Sequence, residues 1–452
     1  MNGVDLRRRQ RVAPQSRQSD SMPGVLGRRR PSGFGGAATT GVGATGAGLL
    51  VLGAGSYGYL AIAARALPGP GFASLSVVWT VLFTLGPGIL LPIEQEMARR
   101  LAASRATEYD PTAMKSNPAR ISVLFAVGMT VVALAFSPIL VPRLLNGDVA
   151  LFIAMLAADA ALAPVYLSRG ILAGTKRYAA YGLQLALEGA LRFVLAVALF
   201  VLGSHSTALF GAILCVAALV ATGITWPRSV SRQRTQTADD QRPFGSAIGW
   251  MLCGTVAAQL LANAGPIVIR AIASPHDAVA GRFLTALVIA RIPLFLFAAV
   301  QAVLLPGLAR LHADRDRPAF VTGVQRLVVT VIALGGVATT TLLIGGPALT
   351  RMFFGQTYRS SGGALALLSL GCTVFLLAGV LAQAILAIRR PGSTALGWSA
   401  GLASFALFLL VPCNLVVRVS AALLVGSITA VGYFATVLLR AKSADDGALG
   451  AQ

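Results

Sequence analysis

The stretch PRSVSRQRTQTADDQRPFG, residues 227–245, decides how the rest of the chain is read. It is polar and basic, and it sits between two long apolar runs, 207–226 and 246–270. Moving outward from it, apolar runs of roughly 20 residues, the length that crosses about 30 Å of hydrocarbon, recur on both sides. They fall near 41–63, 72–93, 121–142, 149–168, 179–203 and 207–226 before the break, and near 246–270, 283–306, 324–345, 363–388, 395–416 and 419–439 after it. This layout predicts an all-α membrane protein with about 12 transmembrane helices in two pseudo-symmetric six-helix bundles of like orientation. The expected boundaries are a disordered basic tail at 1–36, a first bundle at 37–228, a linker at 229–245, a second bundle at 246–440 and a tail at 441–452.

Composition agrees. Charged residues make up 12% of the chain and hydrophobic ones 56%, whereas soluble domains carry about 25% charged residues. The net charge of +21 does not indicate nucleic-acid binding, because its placement is periodic. Of the 37 lysines and arginines, 28 fall in the N-terminal tail, the loops after even-numbered spans and the C-terminal tail. The positive-inside rule then places both termini in the cytoplasm, with the basic tail against anionic membrane lipids. Cys215, Cys253, Cys372 and Cys413 lie in expected spans without a CxxC pair and read as small apolar residues. No His or Cys spacing suits a metal, and no cofactor is expected. Trp226, Trp250 and Trp398 fall near cytoplasmic span ends, as an interfacial belt would.

The halves echo each other. ILLPIEQEMARRLAASRA (89–106) and VLLPGLARLHADRDRPA (303–319) both leave the membrane through Leu-Leu-Pro into an Ala-Arg stretch. LSRGILAGTKRYAAYG (167–182) and LAQAILAIRRPGSTALGW (381–398) share Ile-Leu-Ala, a basic pair and a following aromatic. On GPGILLPIEQEMARRLA (86–102), SRGILAGTKRYAAYGLQLALEGALRF (168–193) and ARIPLFLFAAVQAVLLPGLARL (290–311), the chain resembles the multidrug/oligosaccharidyl-lipid/polysaccharide (MOP) exporter superfamily. Within it, the likeness is to polysaccharide-biosynthesis proteins of the O-antigen flippase type. The resemblance covers nearly the whole chain after the tail, by pattern rather than by a diagnostic signature. It implies a V-shaped pair of six-helix bundles around a central cavity, rocking between inward- and outward-open states of a bacterial plasma-membrane protein.

Polar groups within spans are costly and mark cavities or partners. In the fifth span Tyr181, Gln184, Glu188 and Arg192 form one stripe, with Glu188 and Arg192 an i,i+4 pair. This reads either as a head-group contact tuned by a proton-carrying glutamate or as a closed structural ion pair. In the seventh, Gln259, Asn263, Pro266 and Arg270 share a face, as a cavity wall or as helix–helix hydrogen bonding with Arg270 reaching the interface. Arg291, deep in the eighth span beside Pro293, is the leading candidate for a substrate phosphate, with Gln301 farther down the helix. Its bland alternative is a pair with Asp159, mid-way along the fourth span. Glu94 and Glu96 at the mouth of the second span read as a charge cluster or gate, and Pro87, Pro92 and Pro306 mark helices able to bend. The candidate substrate contacts are therefore Arg291, Arg192, Arg270, Gln259, Asn263 and Gln301, and the candidate coupling or gating groups Glu188, Asp159, Glu94 and Glu96.

No nucleophile–base arrangement or nucleotide motif stands out, and the chain is not expected to be an enzyme. The glycine run of the first span lacks the GK[ST] of a phosphate loop. The expected function is flipping of a lipid-linked oligosaccharide or related polysaccharide precursor, with a polyprenyl-diphosphate-linked glycan as cargo and glycosyltransferase or polymerase partners. A cation-coupled multidrug exporter and a lipid II flippase are the alternatives.

Overall fold

A computed structural model describes residues 34–103, 118–227, 246–273, 279–291, 317–358, 360–388 and 390–449. The chain divides into two compact units, Met1–Thr39 and Thr40–Gln452. In the first, the described residues are the opening turns of α1; the second carries the remaining helices. The linker expected at 229–245 and the tail before residue 34 lie outside the described residues.

Every described regular element is helical. They are α1 (Phe34–Ala66), α2 (Gly69–Leu85), α3 (Leu91–Ala103), α4 (Pro118–Ala135), a short α5 (Ser137–Ile139), α6 (Val149–Gly174), α7 (Tyr178–Val201) and α8 (Thr207–Thr225), then α9 (Ser246–Ile272), α10 (Val279–Ala290), α11 (Arg317–Phe354), α12 (Gly362–Ala387), α13 (Pro391–Phe408) and α14 (Leu415–Leu449). Nine are long and apolar enough to cross a membrane, or ten with the bent pair α4–α5, among the described residues. Large apolar side chains stand exposed along them, including Val123, Val127 and Val131 on α4 and Val329, Ile332 and Val337 on α11. That much exposed apolar surface belongs in lipid, and the chain is a multi-pass membrane protein.

Packing repeats between the halves. In the first, α6 packs on α8, α7 on α8, α4 on α6 and α3 on α6; in the second, α12 packs on α14, α13 on α14, α11 on α12 and α10 on α12. Each second-half pair is its first-half counterpart six spans later. A fifth pairing rests on small residues. A Cβ on Gly189 of α7 would lie 2.5 Å from the Cα of Leu52 on α1, so the backbones touch there; α9 and α13 meet likewise at Gly254 and Ala395. Between the halves, α2 packs on α9 and α10.

Local chemistry sets the helix limits. The side chains of Asp148, Ser206 and Ser361 accept the N–H groups of Leu151, Leu209 and Ala364 and start α6, α8 and α12. Ser76, Thr80 and Thr84 turn their hydroxyls back to carbonyls of α2 itself, so they cross the membrane satisfied. Below them Gly86–Leu90 is a π-helical turn, in which the Leu91 N–H reaches the Gly86 carbonyl. Pro87 cannot donate, and the wider turn accommodates that loss.

Several expectations are corrected. The fourth span ends at Gly174, not 168, which draws Arg169 into the helix interior. The third bends by 48° at the Phe136–Ser137 break beside Pro138. Trp398 is no interfacial anchor: it is buried, 5.1 Å from the Phe375 ring and 5.4 Å from that of Phe434. Cys413 lies in the connection between α13 and α14, and it and Cys253 are exposed.

Candidate functional site

Two polar clusters are buried in the helix bundle, with a cavity between the helices that carry them. The first belongs to α6 and α7. Arg169 Nη2 donates to Glu188 Oε2 at 2.5 Å, and Arg192 Nη2 donates to Glu188 Oε1. One carboxylate thus joins two guanidiniums, all three at most 8% exposed. Arg192 Nη1 continues to Ser56 Oγ on α1 at 3.0 Å, and its Cζ lies 5.9 Å from the Trp79 ring and 5.7 Å from that of Phe83. Toward the other end of α7, Gln184 donates to Thr222 at 2.8 Å and accepts from Ser168 at 3.3 Å. Tyr181 donates to Glu94 Oε1 at 2.9 Å. The stripe Tyr181–Gln184–Glu188–Arg192 thus makes three separate sets of polar contacts with neighbouring helices, and its i,i+4 pair is a buried triad completed by Arg169.

The second cluster belongs to α9 and the residue after α10. Asn263 Nδ2 donates to Gln259 Oε1 at 2.8 Å and to the Gln259 carbonyl at 3.0 Å. This leaves Asn263 Oδ1 to accept from Arg291 Nη1 at 2.7 Å. Arg291 Nη2 donates to the Ala262 carbonyl. Every hydrogen-bond partner described for Arg291 is neutral, and it forms no ion pair among the described residues.

A cavity of about 80 Å³ lies between these clusters. Ser56 and Tyr57 of α1, Trp79 and Phe83 of α2, and Asn263 and Arg291 line it, with Leu and Val side chains of α10. Arg291 faces it directly. Arg192 sits one layer behind the opposite wall, covered by Ser56, Trp79 and Phe83. No carboxylate lines it among the described residues.

The other candidates lie elsewhere. Arg270 is 1% exposed and donates through Nε to the Leu144 carbonyl at 3.2 Å, away from the cavity lining. It joins α9 to the first half. Asp159 is not paired with Arg291. It hydrogen-bonds with Thr130 of α4, and its Oδ1 has no partner among the described residues. Gln301 and the side chain of Glu96 lie outside the described residues, as do Pro293 and Pro306. Among the described residues, no group of three His, Cys, Asp or Glu side chains could hold a metal.

Sequence reasoning missed Arg169, assigned to a loop, and the cavity aromatics Tyr57, Trp79 and Phe83. The apolar turn Ile171–Leu172–Ala173 after Arg169 was the available sign that the helix continues. Nothing in the sequence alone separates Trp79 and Phe83 from lipid-facing aromatics.

Contacts between the halves occur at both ends of the bundle. At the end bearing the odd-numbered connections, Arg65 donates to the Met352 carbonyl and the Phe72 and Tyr358 rings meet edge-on at 5.1 Å. Arg270 and Leu144 lie at the same end. At the other, Thr255 Oγ1 lies 2.7 Å from the Gly88 carbonyl in the π-helical turn.

No known family profile matches the chain. Uncharacterized proteins of Mycobacterium bovis and Mycobacterium tuberculosis are 26% identical over 396 residues, 85% of this chain and 88% of theirs. A second uncharacterized Mycobacterium tuberculosis protein is 24% identical over 394 residues. Among solved structures, a MOP superfamily transporter from Pyrococcus furiosus, described as having a binding pocket of reverse polarity that suggests a different function, superposes with a TM-score of 0.64 at 13% identity, covering 90% of this chain and 96% of that one. A multidrug resistance MATE family transporter of that superfamily in an outward-facing conformation gives 0.61 at 13% identity with the same coverage. A MATE in a bent conformation gives 0.58 at 12%, covering 91% and 97%. The chain has the two-lobed helical fold of these transporters.

Proposed function

We propose that the chain is a membrane transporter of the MOP superfamily, working by alternating access between its two six-helix halves. In this reading it sits in a bacterial plasma membrane with both termini cytoplasmic. Its cargo is an amphiphile with an anionic head, a lipid-linked oligosaccharide or related polysaccharide precursor on polyprenyl diphosphate.

One observation carries the choice of cargo. The cavity is lined by a guanidinium held by neutral partners, with no described carboxylate on its wall. A cation there repels a cationic drug and attracts phosphate, and a guanidinium offers a planar fork that matches phosphate oxygens. Arg291 spends N–H groups on Asn263, Ala262 and the Cys372 thiol, all neutral acceptors against which a phosphate competes favourably for the guanidinium. The present volume of about 80 Å³ admits a few waters but no diphosphate sugar. Loading therefore requires the halves to part, as alternating access supplies.

A cation-coupled multidrug exporter is the second reading. The solved neighbours favour it, since one is itself described as a multidrug resistance transporter. The buried carboxylates Glu188, Glu94 and Asp159 would then be the coupling groups. The charge of the cavity argues the other way, and a lipid II flippase is a variant of the first reading on the same chemistry. Depletion in the native bacterium, followed by mass spectrometry of lipid extracts, separates the readings. Build-up of a polyprenyl-diphosphate glycan supports the first. Unchanged lipid-linked glycans with new sensitivity to cationic dyes supports the second.

A further inference from the structure

Pro266 has no N–H, so α9 leaves the carbonyl of Ala262, four residues earlier, without its helical partner. Arg291 supplies one through Nη2. The cation that lines the cavity is thus also the cap that completes the backbone of α9 at its proline. Asn263 and Gln259 hold that guanidinium in place through the hydrogen bonds described above.

The same helix carries contacts to the other half on both sides of the proline. Toward its start is the bond from Thr255 to Gly88, and toward its end that from Arg270 to Leu144. The Thr255 hydroxyl has a single proton and three carbonyls in reach, Gly88 at 2.7 Å and its own helix's Met251 and Leu252 at 2.9 and 3.1 Å. It can release the other half and remain satisfied. Both contacts therefore respond to a change in the bend of α9 between them.

We infer that Arg291 reports cavity occupancy to α9: a phosphate-bearing head group draws its donors from the Ala262 carbonyl, α9 changes its bend at Pro266, and the inter-half contacts at its ends are weakened. This rests on the anionic-cargo reading. Charge-assisted bonds to phosphate are about twice as strong as bonds to neutral acceptors, so the anion wins the competition for the guanidinium. The uncapped carbonyl, shielded from bulk water, then drives the helix to find another partner by bending.

The test uses the full chain in nanodiscs, cysteine-free except for spin labels at Ile139 and Ile272, which are both exposed on opposite halves. The probe is inorganic pyrophosphate. In otherwise wild-type protein it should bind and shift the distance between the labels. Pro266→Ala gives the Ala262 carbonyl a backbone N–H of its own. That variant should bind pyrophosphate about fivefold more tightly, the worth of one freed hydrogen bond, and its label distance should not move. A shift in Pro266→Ala equal to wild type overturns the inference while leaving the anionic reading intact, as does wild-type binding with no shift. Absence of binding by wild type overturns both. Should Pro266→Ala fail to fold, hydrogen exchange on the wild-type chain decides: amides at 263–270 should exchange several-fold faster with pyrophosphate bound, and unchanged exchange refutes the coupling.

Discussion

Replacing Glu188 by Gln should be among the most destabilising single changes in the chain. Glu188 accepts from Arg169 at 2.5 Å through one oxygen and from Arg192 through the other, and both arginines are less than a tenth exposed. Two cations and one anion become two cations with none between them. Removing one partner of a buried ion pair costs about 3–5 kcal/mol, because the remaining charge is left in a medium that does not solvate it. Here two such charges remain, so the upper part of that range applies, roughly three to four orders of magnitude in the unfolding equilibrium. Ser56 and the faces of Trp79 and Phe83 soften the loss for Arg192, while Arg169 keeps the Tyr166 ring at 5.4 Å and the weaker attraction of Glu94, which does not contact it directly. Arg169→Met in the Glu188→Gln background should therefore recover much of the loss. Steric-trap unfolding in bicelles measures both. A Glu188→Gln cost under about 1 kcal/mol, or a double variant weaker than Glu188→Gln alone, would show that the triad is not a coupled unit.

Gly189→Val should lower stability by about 1–3 kcal/mol, since its new Cβ meets backbone atoms of α1 that cannot yield; thermal unfolding in detergent reads this out. Thr255→Val keeps the shape of the side chain but loses its bond to Gly88, about 1 kcal/mol, so the halves should part there about fivefold more often. Labelling of a cysteine placed in the Gly86–Leu90 turn measures it, while Thr255→Ser should behave as wild type. Asn263→Leu removes the 2.7 Å bond that orients Arg291 and should weaken pyrophosphate binding about tenfold; equal binding would show that the Ala262 carbonyl and Cys372 hold Arg291 without Asn263.

The helical membrane fold was legible because hydropathy and charge placement report on the bilayer directly. A span that ends early or late by a turn alters neither signal, which is how Arg169 came to be assigned to a loop. The i,i+4 pair Glu188–Arg192 could be read from spacing, since both residues share one helix. Its third member lies 19 residues from Glu188 on a neighbouring helix, and no periodicity within one helix encodes such a contact. Arg291 was singled out for its depth and its lack of a local acid. Its actual partners, an amide and a carbonyl exposed by Pro266, depend on how α9 and α10 pack. Asp159 was offered as a partner for Arg291 from its depth, and Arg270 was read from its helix face; their contacts, with Thr130 of α4 and the Leu144 carbonyl, come from other helices or turns. Membrane depth says that a polar group needs a partner, not which helix provides it.

If the cavity between the halves accepts an anionic head group through Arg291, transport of such a lipid depends on that one side chain. The direct measurement is translocation in proteoliposomes of a fluorescent polyprenyl-diphosphate saccharide and, in parallel, of ethidium, by wild type and Arg291→Ala. The diphosphate lipid should cross with wild type and stop with Arg291→Ala, while ethidium moves with neither. Ethidium transport that survives Arg291→Ala, with no movement of the diphosphate lipid, would contradict it.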